Sequence, residues 1–263
     1  MGLYLEYIRI SFQTLLAYRL RYVVGIVTYL IHVGVYYFIY KALFAQNSSI
    51  NGYSLSQMVT YVSIGWISKS FYLNYIDHNI AADVREGKLA VDLVKPQDFQ
   101  CMYYARGAGQ CLFRMLFFTP PIVVAAVFIF PVNGPAGAAG SAGFAVSTLL
   151  SVLIYLGMNY LMGMAAIYFL SIHGILHLKN TIVELLSGLL VPIDWFPVWF
   201  RTISRFLPFK MVAYVPLSIY LGRISGPEIY VALLRQAIWV VVLFVSGRLL
   251  WRFCQRKIMI QGG

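Results

Sequence analysis

Residues 81–100 read AADVREGKLAVDLVKPQDFQ, a charged and sharply punctuated stretch in a chain that is otherwise mostly apolar. Five of the nine acidic residues lie in it or just before it: Asp77, Asp83, Glu86, Asp92 and Asp98. Arg85, Lys88 and Lys95 are interleaved with them. Residues 79–86 have room for about two helical turns, and Gly87 ends them. Leu89 to Val94 form a short apolar run, which Lys95-Pro96 stops, because the residue before a proline avoids helical geometry. Such a piece is either an ordinary solvated loop or a short helix that presents its charges to another protein.

The surroundings decide what kind of protein carries this loop. Of 263 residues, 60% are hydrophobic and only 11% charged, and the mean hydropathy is +0.76. Polar surface could not cover a soluble fold of that composition. The wealth of Tyr, Phe and Trp fits the interfacial belts of a bilayer protein. A net charge of +11 raises nucleic acid as a partner. The basic residues, however, are scattered at the ends of apolar runs, which points to membrane topology and away from nucleic acid. Cys101, Cys111 and Cys254 have no C-x-x-C spacing, and His173 and His177 lack a third ligand, so no disulfide or metal set is expected.

Six apolar runs approach the roughly 20 residues a hydrocarbon core requires of a helix. They are Tyr22 to Phe44, Leu55 to Ile76, Leu112 to Phe130, Phe144 to Leu170, Ile175 to Val191 and Ile229 to Leu250. Lys179, Glu184 and Pro192 interrupt the fifth. The expectation is therefore an all-α polytopic membrane protein with six transmembrane helices in a single domain, residues 1–263. Orientation follows from the loop cations. Arg9, Arg19, Arg21, Arg85, Lys88, Lys95, Arg106, Arg114, Lys179, Arg248, Arg252, Arg256 and Lys257 fall on one side. Lys41, Arg201, Arg205, Lys210 and Arg223 fall on the other. Both termini and the 77–111 loop are thus expected in the cytoplasm, in a bacterial inner membrane. Arg114 and Arg235, near span ends, are expected to snorkel.

Two further segments have a legible character. In Leu3 to Leu20, Leu5, Ile8, Phe12, Leu15 and Leu16 share one side and Glu6, Arg9 and Gln13 another. This is either an amphipathic interfacial helix (1–21) or an extension of the first span. The segment 192–226 is rich in aromatics and is cut by Pro192, Pro197, Pro208 and Pro216 into pieces too short to cross. It reads as re-entrant helices dipping into the outer leaflet or as a surface loop with interfacial aromatics.

The G-K-L-x-x-x-L-x-K-P pattern at Gly87 to Pro96 is one of three stretches that resemble the permease subunits of ABC-2 type exporters. The others are S-G…P…W-F-P-x-W from Ser187 to Trp199 and L-P-F…Y-x-P…Y-L-G from Leu207 to Gly222. They occur in the family's order across most of the chain. The resemblance implies that the 77–111 loop holds a coupling helix for an ATPase subunit, centred on Asp83, Arg85, Glu86, Gly87 and Lys88. It likewise implies an N-terminal connecting helix and re-entrant helices in 192–226. Two ATPase subunits and a second permease chain, identical or paralogous, are the implied partners, together with membrane lipid.

No G-x-x-x-x-G-K-[ST] phosphate loop occurs, so ATP and Mg are expected on the partner, with no cofactor or catalytic residue here. A membrane-embedded lipid-modifying enzyme and a self-contained secondary transporter are the alternatives. No Ser/His/Asp or paired-carboxylate set supports the first, and no internal repeat the second.

The family's translocation route, along the second and fifth spans, brings forward Tyr61, Trp66, Lys69, Thr181, Glu184 and Ser187. Lys69 and Glu184 each lie about seven residues from the inner end of a span. At 1.5 Å per residue both sit roughly 10 Å deep. They are expected to pair or to line one cavity; the alternative is that Lys69 snorkels and Glu184 bonds locally. Substrate stays open: aromatic walls with few charges suit amphiphilic or lipid-like cargo, but they suit any bilayer helix as well.

Overall fold

The structure, a computed structural model, describes residues 2–17, 20–169 and 173–255. Arg19, Leu170, Arg256 and Lys257, which entered the span and charge readings, lie outside the described residues. The chain is helical: α1 (Gly2–Ala17), α2 (Leu20–Leu43), α3 (Leu55–Tyr72), α4 (Ile76–Arg85), α5 (Lys88–Val94) and α6 (Phe99–Phe113). Then come α7 (Thr119–Ile129), α8 (Gly137–Met164), α9 (His173–Leu186), α10 (Val198–Ser204), α11 (Tyr214–Tyr220) and α12 (Pro227–Gln255).

Four stretches of helix among the described residues are long and apolar enough to cross a membrane: Tyr22–Leu43, Phe99–Ile129, Gly137–Ile167 and Pro227–Gln255. The protein is thus an all-α polytopic membrane protein. Two expected spans, α3 and α9, are not among the four. α3 has 18 residues and carries Gln57, Thr60, Lys69 and several serines. α9 has only 14 residues, about 21 Å at the helical rise, against a hydrocarbon core of about 30 Å. α3 can be polar because it is inside, whereas α9 buries only one face, with Leu176, Lys179 and Val183, and leaves the other open. Every residue of α3 from Met58 to Ser70 is buried. Tyr29 and Val33 of α2, Ile122 and Ala126 of α7, and Leu189 and Leu217 share its core. On another side α8 packs with α11 and α12 around Ile154, Ile219 and Leu243. The outward faces of α2, α7 and α12 show Val24, Ile31, Phe38, Val127, Phe128, Leu234 and Val241, an apolar coat suited to lipid.

Local chemistry sets the helix ends. Ser54 and Gln57 form a reciprocal capping box at the start of α3. The third span begins earlier than Leu112, since α6 already starts at Phe99 behind an Asp98 N-cap. Polar residues hid it in the sequence, and each has a partner: Gln100 donates to the Phe244 carbonyl, and Gln110 accepts from the Tyr75 N–H. Between α6 and α7 the backbone loosens into a five-residue π segment, Arg114–Phe118. Pro120 and Pro121 follow at once and cannot donate to carbonyls one turn back, which disrupts the regular ladder there. Arg114 sits in this segment and does not snorkel. It is 5% exposed, caged by the rings of Tyr22, Tyr75 and Phe118 at 5.2 to 5.7 Å.

Candidate coupling and translocation site

The 81–100 stretch folds as an elbow. α4 carries Asp77 in its first turn and Arg85 in its last, matching the helix dipole at both ends. Gly87 turns the chain with φ +70°, a left-handed conformation that glycine adopts at no steric cost. α5 then runs to Val94, and Lys95 before Pro96 is extended, with φ −76° and ψ 138°.

Of the five residues the sequence centred there, Arg85, Glu86, Gly87 and Lys88 are exposed at the tip. Glu86 and Lys88 pair at 2.5 Å in the open; the bond from Lys88 holds the Glu86 carboxyl below its ordinary range and raises the lysine. Asp83 differs, because it turns inward. It accepts from the Tyr103 hydroxyl at 2.6 Å and from Arg106 at 3.1 Å. Arg106 also reaches Asp92 of α5 at 3.8 Å, and Asp92 accepts from Lys95 at 2.7 Å. One guanidinium on α6 therefore braces both arms of the elbow, with its own face over the Tyr7 ring of α1. Beside the charged tip, Val91 and Val94 of α5 are exposed.

Behind the elbow lies a polar network that the sequence reading missed. Asp77 of α4 is 1% exposed and Lys179 of α9 is 7% exposed; their charged atoms are 2.6 Å apart. The Lys179 ammonium also donates to Asn159 Oδ1 of α8 at 2.7 Å. The Asn159 amide donates to the carbonyl and the side-chain oxygen of Asn74, both at 3.0 Å. Asp77 uses its second oxygen to accept from the His78 N–H. α4 can approach α8 this closely because residue 163 is glycine. A Cβ there would fall 2.6 Å from Ile80 and 3.1 Å from the Asp77 backbone.

Five residues further along α9, Glu184 meets Lys69 of α3 at 2.5 Å. The depth argument put these two together, and so does the structure. Lys69 also lies over the Trp66 ring at 4.4 Å. Thus α9 presents a cation to α4 and an anion to α3, one on each side of the Leu73–Tyr75 break between those helices. The remaining residues proposed for a route divide. Tyr61 is buried and donates to the Gly188 carbonyl. Trp66 and Ser187 are buried as well, Ser187 donating to the Glu184 carbonyl at 3.2 Å. Thr181 faces outward and bonds only its own helix, at the His177 carbonyl.

The far end is held by Asp194, which accepts from Tyr53 at 2.9 Å and from Tyr214 at 2.7 Å. Arg223 stacks on Tyr53 at 3.8 Å and faces Asp194.

Among the described residues of these networks, no acid, base and nucleophile come together. The arrangement is that of a helical membrane protein whose one end carries an exposed, braced elbow and whose interior ties that elbow to a neighbouring helix by ion pairs. A family model described as ABC-2 family transporter protein matches residues 30–262, and the chain belongs to that family. It is a permease component of an ABC transporter, a membrane transport component of a kind that associates with ABC ATPases. No curated protein matches the chain.

Proposed function

We propose that this chain is the permease subunit of an ATP-driven exporter that moves an amphiphilic or lipid-like substrate out of the cytoplasm. Two ATPase subunits would carry ATP and Mg, and a second permease chain, identical or paralogous, would complete the route. The reading includes six crossings, with α3 and α9 as the interior ones, and both termini in the cytoplasm of a bacterium. α1 is then the connecting helix, the α4–α5 elbow the coupling helix, and the pieces from Pro192 to Gly226 the re-entrant segment.

The observation that carries this reading is the continuity between the exposed tip at Arg85 to Lys88 and the buried Asp77–Lys179 pair. On ATP binding the ATPases close and displace the elbow. α4 moves as a unit, since Arg106 braces it to α5 and α6. Lys179 carries the movement to α9, and Glu184 shares it with α3. α9 is the element best placed to change access. Glu184 is about a third exposed and Thr181 is exposed, beside the exposed Leu178, Ile182 and Leu185 that would meet the second permease chain. Asp83 serves the elbow's shape, while Arg85, Glu86 and Lys88 make the contact, together with Val91 and Val94.

A tagged chain purified from its native membrane should bring down an ABC ATPase. Arg85→Ala and Glu86→Ala should lower ATP-driven transport at unchanged melting temperature. Purification with no ATPase would reject the reading, and full transport by both variants would reduce the elbow to a solvated connector.

A further inference from the structure

Between α9 and α11 the chain folds around a cavity of about 330 Å³. Ile193, Asp194, Val198, Arg201, Thr202, Ser204, Arg205, Lys210 and Tyr214 line it. Its one carboxylate is already engaged, since both oxygens of Asp194 accept tyrosine hydroxyls and Arg223 lies 3.8 Å away. The three cations are not engaged. Among the described residues, Arg201, Arg205 and Lys210 have no carboxylate within salt-bridge distance and donate no side-chain hydrogen bond. Burial of Lys210, together with Arg205 and Arg235, holds its ammonium below the ordinary lysine range even though Asp194 pulls the other way. A cavity that gathers the exposed Arg201 and Arg205 with Lys210 has the chemistry of an oxyanion receptor, with guanidinium and ammonium groups as the donors, since the hydroxyls of Thr202 and Ser204 already donate to the Val198 and Arg201 carbonyls. Arginine forks match the paired oxygens of a phosphate. The same short helix, α10, exposes Val198, Trp199 and Ile203, and Phe206 is exposed just beyond its end, so an apolar tail would find contact next to the charged cavity.

We propose that this cavity binds a phosphate group, held by Arg201, Arg205 and Lys210 with α10 alongside any attached chain. Its placement at the outer leaflet rests on the topology proposed above; binding itself needs neither the ATPase nor transport. The phosphate can be the headgroup of an anionic lipid or a free phosphate ion, and one experiment separates the two. The full chain, purified in a neutral detergent, is titrated with phosphatidylglycerol and, separately, with inorganic phosphate, and bound ligand is counted by native mass spectrometry.

At least one probe should bind the wild type, and the triple variant R201Q/R205Q/K210Q should lose roughly tenfold or more of that affinity, as expected when charge-assisted bonds are removed. R201K/R205K, which keeps the charge, should lose less than the triple variant. Lys41→Gln, another cation assigned to the outer side, should bind as the wild type does. Loss confined to phosphatidylglycerol assigns a lipid headgroup, and loss of inorganic phosphate binding assigns a free phosphate site. Equal binding by wild type and triple variant, or no binding of either probe to the wild type, overturns the proposal. Unchanged melting of the triple variant shows that folding is not the cause. Absence of an ATPase partner would leave this result standing.

Discussion

Replacing Lys179 with methionine tests the buried network most directly. The substitution keeps the length and apolar stem of the side chain and removes only the ammonium. Asp77 is then left 1% exposed with no cation, and Asn159 Oδ1 loses its donor. Removing one member of a buried ion pair typically costs about 3–5 kcal/mol, because the stranded charge has neither water nor partner. For a chain of this size each kcal/mol corresponds to about 2–4 °C, so the apparent Tm in detergent should fall by roughly 6 to 20 °C. Tryptophan fluorescence during heating reads it. Combining Lys179→Met with Asp77→Asn should recover most of the loss, since the asparagine carries no charge and its amide can supply a donor to Asn159. The single and double variants form a cycle whose interaction energy should be about 2 kcal/mol or more. If Lys179→Met melts within about 2 °C of wild type, a shift below 1 kcal/mol, or if the double variant is as unstable as the two singles added together, the pair does not tie α4 to α9.

Three further outcomes follow from the geometry. The Lys69–Glu184 pair should respond asymmetrically: Glu184→Leu strands Lys69, whose side chain is 11% exposed, whereas Lys69→Met leaves a carboxylate 34% exposed to be solvated. The first should cost about 2–3 kcal/mol and the second about 1, read as apparent Tm. Gly87→Ala should cost about 1–2 kcal/mol through its positive φ alone, as no atom within 4 Å meets the added methyl; equal melting of the two proteins would show that the elbow relaxes freely. Asp98→Ala removes the α6 N-cap and the partner of Arg248, with a loss of about 1–2 kcal/mol near neutral pH. Burial opposes the charged form of Asp98, but the bonds from Arg248 and the Cys101 N–H outweigh it and depress the carboxyl below 3.8. A depressed acid stabilises fully above its unfolded value, so the difference in Tm between wild type and Asp98→Ala should persist above about pH 3.8 and shrink as pH falls further.

The elbow was legible because each of its signals is local. Gly87 and the Lys95-Pro96 pair act on their own backbone, and the structure breaks the helices at those positions. Lys69 and Glu184 were legible for another reason: an ionisable group deep in an apolar run requires a partner, and counting residues gives its depth. The same count, carried one or two turns further, reaches Asp77 from Lys69 and Lys179 from Glu184, on helices running in opposite directions. Nothing local prompts that step, because Asp77 sits after the apolar run ends and Lys179, which interrupts the fifth run, is also explained as a cation of the cytoplasmic side. α6 escaped for a related cause. Its polar residues look like loop residues until tertiary structure supplies Gln110 with the Tyr75 N–H and Arg106 with Asp83. The inward turn of Asp83 depends on Tyr103 and Arg106, twenty or more residues away, and no local pattern announces it.

The order of charges on α9 bears on how movement could pass through the protein. Lys179 and Glu184 are five residues apart, roughly 7.5 Å along the axis, and their partners stand in matching antiparallel order. A slide of α9 along α3 would bring Lys179 toward Lys69, or Glu184 toward Asp77. Either shift puts like charges together in the interior, where few waters screen them, and strands the groups left behind. A pair of identical polarity would not penalise the slide in this way, since each group would meet an acceptable partner one step on. The alternating pair therefore fixes the register of α9 against the α3–α4 corner and favours motion in which the three helices tilt together. Asn159 and Asn74 add to this, because their bonds anchor the same corner to α8. Under the proposed coupling, a displacement of the elbow would reach α9 as a rotation of a locked corner, while the apolar outer faces of α2, α7 and α12 would adjust around it.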